Sequence, residues 1–511
     1  MSHKYLLGID VGTSSLKTTI VTSEGEVKGA ASKEYPTYYA KPGWAEQNPE
    51  DWYSAFKVTL VKAIKQAHIS GNNIYAIGVT GQMIGLTCLD KQKNVLRPAI
   101  LWMDQRNIAQ VNWLKENFGD IIRTIAYNPL NTAFTLPKIL WVKKHEPEIW
   151  RKIYKIQLPK DYIRLKLTNV WATDYNDASG TLLFEVLNRR WSEEILKHTG
   201  VSMDKLPRVF PSTEVVGYIT EQVSKETGLA ASTPVVAGAG DLATENFAAG
   251  VIETNQRLVR LGTSAVISTA VSKPILDPNE KCPCYVHCIP NKWSIEASTQ
   301  SFGLSERWFR DIFCDEEIAK AQKLHKSAYE LIDEIAAKVS PGADGLFFHP
   351  FITGAPYWDP YLRGAFIGIT LQHNKGHFAR AVLEGSVYSL KDSLRSLKSL
   401  IENEVTDYVV VGGGSKSRLW CQIVSDVIGV DVFLSETSDA SIGAAMLAGV
   451  GTLVFKDFGD AIKKCRKKGI KLQYNKENHK KYNSLFEVYK EIHRNLTGTC
   501  KTIHRVVKSL I

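Results

Sequence analysis

Two stretches of the chain, set about half its length apart, follow one plan. The first is YLLGIDVGTSSLKTTIV, residues 5 to 21. An apolar run ends on Asp10, a small turn of Gly12, Thr13, Ser14 and Ser15 follows, and a second run rich in β-branched residues comes after it. The second is RLVRLGTSAVISTAV, residues 257 to 271, with Gly262, Thr263 and Ser264 in its turn. Each reads as two strands joined by a tight hairpin. The chain of 511 residues is longer than the roughly 250–300 at which a single core stops growing. A sequence that repeats one hairpin at half-chain spacing is expected to build two related α/β domains facing one nucleotide.

The turn chemistry narrows the ligand. A dinucleotide fingerprint needs Gly-x-Gly-x-x-Gly opening a helix, and a P-loop needs Gly-Lys-Ser/Thr at a helix start; neither is present. A turn of glycine and hydroxyl residues still offers backbone N–H and side-chain O–H groups to an anion. A carboxylate beside it, Asp10, could hold Mg²⁺ together with substrate phosphates. An ordinary hairpin turn accounts for the same residues.

A third glycine turn lies in DYVVVGGGSKSRLWCQIVSDVIG, residues 407 to 429, where a strand runs into Gly412, Gly413 and Gly414 and a helix begins near Ser415. Backbone can approach a flat base or a phosphate there, although plain βα packing would look the same. DASIGAAMLAG, 439 to 449, reads as a small-residue helix packed close to its neighbours. In VVAGAGDLATENFAAG, 235 to 250, Asp241 follows a strand and opens a helix; it is either an N-cap or a carboxylate presented at a strand end. AILWMDQRN, 99 to 107, ends a strand with Asp104 and Arg106. YAIGVTGQMIGLTCLD, 75 to 90, is strand, Gly-Gln-Met-Ile-Gly turn, strand. The linker between halves is expected near 246 to 256.

Composition excludes several classes. Hydrophobic content of 44% and charged content of 23% are ordinary for a soluble globular protein. No apolar run reaches the ~18–20 residues of a membrane span, and MSHKYLLGID is too short and too acidic at its end for a signal-peptide core. No membrane partner and a cytoplasmic location are therefore expected. The eight cysteines are too sparse for a disulfide scaffold. Cys282, Cys284, His287 and Cys288 invite a zinc site, but their spacing matches no standard pattern, so reduced thiols on a strand are expected. The net charge of +10 owes much to KKCRKKGIKLQYNKENHKK, 463 to 481. That stretch lacks a recognition motif, so a solvated surface rather than a nucleic-acid site is expected; the positive field would draw in an anionic substrate.

Taken together, GIDVGTSSLK, GQMIG, LPKILWVKKHEPEIW (136–150), LPKDYIRLKLTN (158–169), TDYNDASGTLLF (173–184), VVAGAGD, LGTS, RGAFIGIT followed by HFARAVLEG, and VVVGGGSKSRLW resemble the FGGY carbohydrate kinases. The resemblance runs from about residue 4 to about 455, and the first half is most similar to the xylulose kinases. It implies the two-domain actin-like, hexokinase-like (ribonuclease H-like) α/β ATPase fold with a cleft between domains. Residues 1–248 would carry the sugar site, first phosphate loop and catalytic acid, and residues 249–511 the second phosphate loop and adenosine site.

Residue by residue, the resemblance implies that Gly12, Thr13, Ser14, Ser15 and Lys17, with Gly262, Thr263 and Ser264, bind the phosphates of ATP. Gly412, Gly413, Gly414 and Ser417 would bind adenosine. Asp241 matches the general base and Asp10 the acid near Mg²⁺, with both carboxylates about the metal. Gln82, Met83, Ile84, Asp104, Arg106 and Leu242 would form the sugar pocket. The expected reaction is ATP-dependent phosphorylation of a small sugar, D-xylulose foremost, and the resemblance leaves a homodimer open.

Two positions depart from the xylulose-kinase pattern: Ile84 stands where histidine is usual and Leu242 where asparagine is usual. KPGWAEQNPEDWY (41–53) and GAPYWDPYLRG (354–364) are similar to glycerol kinases, yet the glycerol-holding Asn-Gln-Arg-Glu turn is replaced by Gly81-Gln82-Met83-Ile84. Another ketose, a polyol such as glycerol or erythritol, or gluconate therefore stands as the alternative acceptor, and a catalytically silent nucleotide switch as the alternative class.

Overall fold

A computed structural model describes residues 4–354, 359, 361–435, 439–467 and 469–510. Of the stretches discussed above, Met1–His3, Ala355–Trp358 with Pro360 in GAPYWDPYLRG, and Lys468 in the basic stretch lie outside the described residues. The strands used below are β1 (Tyr5–Val11), β2 (Ser15–Thr22), β3 (Val27–Glu34), β4 (Ile74–Gly81), β5 (Val215–Tyr218), β6 (Pro234–Val236), β7 (Ala239–Gly240), β8 (Gln256–Leu261), β9 (Ala265–Val271), β10 (Cys284–Val286), β11 (Trp293–Thr299), β12 (Asp407–Val411), β13 (Val432–Leu434) and β14 (Ile470–Leu472). The helices are α1 (Pro49–Ala67), α2 (Pro159–Thr168), α3 (Tyr175–Ser179), α4 (Asp241–Ala249), α5 (Gly303–Phe313), α6 (Arg418–Ile428), α7 (Ala440–Gly451) and α8 (Lys476–Leu510).

The chain divides into two units, each assembled from three segments. The first takes residues 1–253, 270–295 and 437–467. Its main sheet runs β5-β6-β4-β1-β2-β3, with β7 also on β4. β1 and β2 form the expected antiparallel hairpin, with Asp10 opposite Lys17. β1 and β4 are parallel, with Asp10 opposite Thr80 and Val11 opposite Gly81. β7 lies parallel on the other edge of β4, with Ala239 opposite Thr80 and Gly240 opposite Gly81. Three strands thus finish level, and the chain leaves each at the same end.

Helices cover both faces of this sheet, which is why β1 and β4 read as near-continuous apolar runs. On one side α1 starts at Asn48, whose side chain accepts from the Glu50 N–H, and carries Pro49 at its first position, a favoured N-terminal arrangement. Trp52, Phe56 and Leu60 of α1 pack with Leu7, Ile9 and Val79, each such side chain contributing about 1.5–3 kcal/mol of burial. On the other side α7 and α4 bury Met446, Leu447 and Phe247 with Leu6 and Ala76. The approach of α7 is close enough to exclude side chains. A Cβ on Gly8 would stand 1.7 Å from the Ser441 carbonyl oxygen, and one on Gly78 1.9 Å from that of Ala444.

The second unit takes residues 254–269, 296–436 and 468–511. Its sheet runs β11-β9-β8-β12-β13-β14; β10 pairs with Trp293–Ile295 inside the first unit's segment 270–295. β8 and β9 form the second expected hairpin, Leu261 opposite Ala265, and β8 runs parallel to β12, Arg260 opposite Val411. The hairpin and parallel neighbour of the first unit, β1, β2 and β4, therefore recur here as β8, β9 and β12. The long α8 buries Tyr482, Phe486, Tyr489 and Cys500 along one stripe. Among the described residues no helix is long and apolar enough to cross a membrane. All eight cysteines are buried and free of disulfides.

Candidate active site

In the first unit the β1–β2 turn is closed by the Gly12 N–H donating to the Ser15 carbonyl at 3.0 Å. Its own carbonyls are held from below. Gln47 Nε2 donates to the Thr13 carbonyl at 2.6 Å, and the Tyr35 hydroxyl donates to the Gly12 carbonyl. The Gln47 Oε1 in turn accepts from Trp52 Nε1 and Gln82 Nε2, both at 3.0 Å. Trp102 Nε1 donates to the Thr13 hydroxyl at 3.1 Å. Sequence reasoning missed Tyr35, Gln47, Trp52 and Trp102 as braces of this loop; Gln47 and Trp52 lie in the quoted KPGWAEQNPEDWY, but nothing local points them at Thr13. Ser14 is exposed, and Gly12, Thr13 and Ser15 are half-buried. Lys17 lies on β2 with its ammonium 2.5 Å from the Asp439 carboxylate, the N-cap of α7.

Asp10 is the last residue but one of β1, with Oδ2 4.0 Å from where a Cβ on Gly12 would stand. Asp241 is not an N-cap: Gly240 takes that position, and Asp241 is the first residue of α4, its Oδ1 accepting from the Leu242 N–H at 2.8 Å. Because β1 and β7 flank β4 in register, Asp10 and Asp241 emerge at the same strand ends, two strand spacings or about 10 Å apart along the sheet. In open α/β sheets ligands bind outside these carboxyl ends.

The turn after β4 lies beside them. Gln82 is buried, its N–H donating to the Val11 carbonyl at 2.9 Å. Met83 packs on Gly240, where a Cβ would stand 2.5 Å from its sulfur. Ile84 adopts φ 56° and covers Gly180. Leu242 is buried.

Asp104 and Arg106 are placed differently from expectation. The strand ends at Ile100, and the two residues sit in the turn that follows. Both side chains are buried and bonded to each other at 2.8 Å. Asp104 also accepts from the Ala45 N–H at 2.6 Å. Arg106 also pairs with Glu46 at 2.7 Å and lies 3.6 Å over the Trp44 ring. The pair braces the loop behind the turn, because a buried charge needs its partner and its hydrogen bonds.

In the second unit the Gly262 N–H donates to the Ser264 carbonyl at 2.9 Å. α5 starts against this turn, with Gly303 and Leu304 N–H groups donating to the Gly262 and Thr263 carbonyls at 3.0 and 3.1 Å. Gly412, at φ 89°, folds back on Leu261 at the end of the neighbouring β8, which brings the third glycine turn level with the second. A 3₁₀ turn, Gly413–Lys416, precedes α6, which starts at Arg418 rather than near Ser415. Ser417 caps it, accepting from the Trp420 N–H at 3.0 Å. Trp420 stacks on Phe302 at 4.3 Å. Two acids lie nearby. Burial, with Asp333 adding to it, pushes Glu306 up to about 8; burial pushes Asp333 up to about 6 against the pull of a hydrogen bond with Ser417.

Among the described residues, only Asp161, Asp174 and Asp177 gather as three or more potential metal ligands. Their centre is filled: Lys160 Nζ lies 2.6, 2.5 and 3.1 Å from the three carboxylates. The zinc candidate contributes no such group; Cys288 Sγ lies 3.6 Å from His287 Nδ1 and donates to the Ala243 carbonyl.

Comparison with known proteins gives the family. Residues 5–248 match the N-terminal domain, and residues 258–452 the C-terminal domain, of the FGGY family of carbohydrate kinases. The chain belongs to that family. It is 35% identical over 493 residues to a xylulose kinase of Bacillus subtilis, covering 96% of this chain and 97% of the relative. It is 32% identical over 461 residues to a gluconokinase of the same organism, covering 90% and 89%. A ligand-bound xylulose kinase from Lactobacillus acidophilus superposes with a TM-score of 0.88 at 25% identity, covering 98% of this chain and 99% of that one. The chain is thus a sugar kinase of the actin-like ATPase type, and its family implies the use of ATP.

Proposed function

We propose that this kinase transfers the γ-phosphoryl group of ATP to a small sugar, D-xylulose, giving D-xylulose 5-phosphate in the cytoplasm. The observation that carries the reading is the placement of Asp10 and Asp241 at the same end of β1 and β7, on either side of β4, one beside a glycine-hydroxyl turn and the other next to Gly240, on which Met83 packs. Asp241 hydrogen-bonds the acceptor hydroxyl and takes its proton, a role worth typically ~10²–10⁴-fold. Gly12, Thr13, Ser14 and Ser15, with Gly262, Thr263 and Ser264, orient the phosphates through N–H and O–H groups; Lys17 joins them by leaving Asp439. Gly412, Gly413, Gly414 and Ser417 seat the adenosine. Met83, Ile84 and Leu242 wall the sugar, with Gln82, Asp104 and Arg106 as the support behind them. The functional halves divide at residues 248 and 249.

The carboxylates of Asp10 and Asp241 are hard oxygen donors that suit Mg²⁺, and the Asp10 carboxylate overhangs the Gly12 turn where phosphate would lie. Asp10 and Asp241 would hold the ion, which would supply neutralisation of charge on the phosphates.

A second acceptor is favoured by one observation. Ile84 and Leu242 place apolar side chains at two positions of the proposed sugar pocket, and a site that lacks a hydroxyl partner loses discrimination for that hydroxyl. Gluconate, another ketose or a polyol then competes. ADP release with MgATP is the test, run over D-xylulose, L-xylulose, D-ribulose, erythrulose, D-gluconate, glycerol and erythritol with Asp241→Asn as control. D-xylulose should give the highest kcat/KM and the variant should lose at least ~10²-fold. A better acceptor from the panel overturns the sugar assignment, and an active Asp241→Asn overturns the base. Size-exclusion chromatography with light scattering checks the homodimer reading.

A further inference from the structure

Two motifs, LPKDYIRLKLT and TDYNDASGT, make no contact that the reaction above uses. They meet in a buried ion cluster. Lys160, Asp161 and Arg164 from α2, Asp174 before α3 and Asp177 within it are all fully buried. Besides its three Lys160 contacts, the cluster includes Arg164 bonded to Asp161 at 2.9 Å. Against the cost of burial, the three carboxylates hold the Lys160 pKa above its ordinary value. Burial pushes the Asp177 carboxyl well above its ordinary value, and burial raises Asp174 as well. An arrangement this costly to desolvate is weak evidence for stability, and its position says more.

Both ends of the four-residue segment Ala237-Gly238-Ala239-Gly240, which delivers Asp241, are tied to it. At one end Arg164 Nη1 donates to the Ala237 carbonyl. At the other, Asn176 Oδ1 accepts from the Gly240 N–H at 2.8 Å. Asn176 is itself immobilised: its N–H donates to Asp174 Oδ1 at 2.9 Å, and its Nδ2 donates to the Val286 carbonyl at 2.7 Å. Asp174, in turn, is 2.5 Å from Lys160. Gly240 has no side chain with which to cap α4, and Met83 and Asn176 crowd the space a side chain would need. The helix start that carries Asp241 is therefore located from outside, by Asn176.

We infer that the buried cluster is a positioning device for the catalytic base, with Asn176 as the positioning residue that transmits it to Gly240 and so to Asp241. The inference rests on the reading of Asp241 as base. A rigid support matters here because a misplacement of about 1 Å can cost ~10²-fold in rate, whereas substrate affinity depends on other groups.

The experiment compares Asn176→Ala, Asn176→Asp and Asp241→Asn in the full chain, using the best acceptor of the panel and measuring kcat, KM for ATP and the melting temperature. Asn176→Ala should lower kcat ~10–100-fold with KM for ATP within about twofold. Asn176→Asp keeps an acceptor for the Gly240 N–H but loses the donor to the Val286 carbonyl, so it should recover part of that loss. If Asn176→Ala does not fold, Asn176→Ser, measured below its melting temperature, gives the same split. A folded Asn176→Ala or Asn176→Ser with wild-type kcat overturns the inference, as does Asn176→Asp no better than Asn176→Ala. An active Asp241→Asn sinks the base reading whatever Asn176 does; an inactive one beside an intact Asn176→Ala sinks the positioning role alone.

Discussion

Ile84 is a β-branched residue in the left-handed region, at φ 56°, a conformation that costs of order 1–3 kcal/mol and persists only where the surroundings impose it. Its carbonyl accepts from the Thr135 hydroxyl at 3.1 Å and from Lys138 Nζ at 3.3 Å. Lys138 is fully buried and also donates to the Ala133 and Phe134 carbonyls. Burial lowers its ammonium to about 7, with Asp104 opposing and Arg106 adding to the shift. The unfolded chain titrates this lysine near 10.5. Between those values the unfolded state binds a proton that the folded state does not, so this group's contribution to stability rises with pH across the window and is lost as pH falls toward 7. Lys138→Met removes the slope and leaves buried carbonyls unpaired, at about 1–3 kcal/mol. In parallel melts, the deficit of the variant should widen from pH 7 to pH 10; a deficit that stays flat refutes the shift. Asp10 and Asp241 were legible in sequence because an acid directly after an apolar run marks a strand end. Lys138 and Asn176 were not. Lys138 stands in one short run with Lys143 and Lys144, and only tertiary packing decides that it is the one buried.

At the scale of elements, α7 against β1 and β4 sets the tightest fit in the first unit. Gly78→Ala would drive a Cβ into the Ala444 carbonyl at 1.9 Å, and backbone on both sides leaves nothing flexible to yield. A loss of about 3 kcal/mol or more is expected in denaturant titration, among the large values that overpacking produces. Gly498→Ala provides the contrast. It lies on the exposed side of α8 with no atom within 4 Å of its Cβ position, so it should stabilise by about 0.5–1 kcal/mol through helix propensity. Equal effects at the two glycines would show that the close approach is not rigid. The hairpins and the small-residue character of α7 could be read locally, since turn chemistry and residue size are local properties. The strand pair that α7 covers could not, because the helix arrives some 360 residues after Gly78 in the chain and nothing in its own sequence names Gly8 and Gly78 as its seat.

The same long return governs the whole molecule. The sequence reads as two contiguous halves dividing at residue 248. The first unit, however, includes residues 270–295 and 437–467. Those segments supply Cys288, Ile442, Met446, Leu447 and Phe455 to the cluster formed with Leu6, Val21, Ala76 and Phe247. They also supply the Val286 carbonyl that fixes Asn176. A chain cut to residues 1–248 would keep the hairpin, Asp10, Asp241 and nearly all of α4 but expose to water the apolar surface of the sheet that α7 covers. At roughly 25 cal/mol per Å² of apolar surface, uncovering several such side chains outweighs the 5–15 kcal/mol by which a domain is usually stable. Expressed alone, that fragment should bind a hydrophobic dye, show no cooperative melting transition and aggregate. The full chain should melt cooperatively under the same conditions. A soluble 1–248 fragment with a sharp transition would mean that the first unit is complete without its returning segments, and that α7 is an addition to a sheet already able to stand by itself.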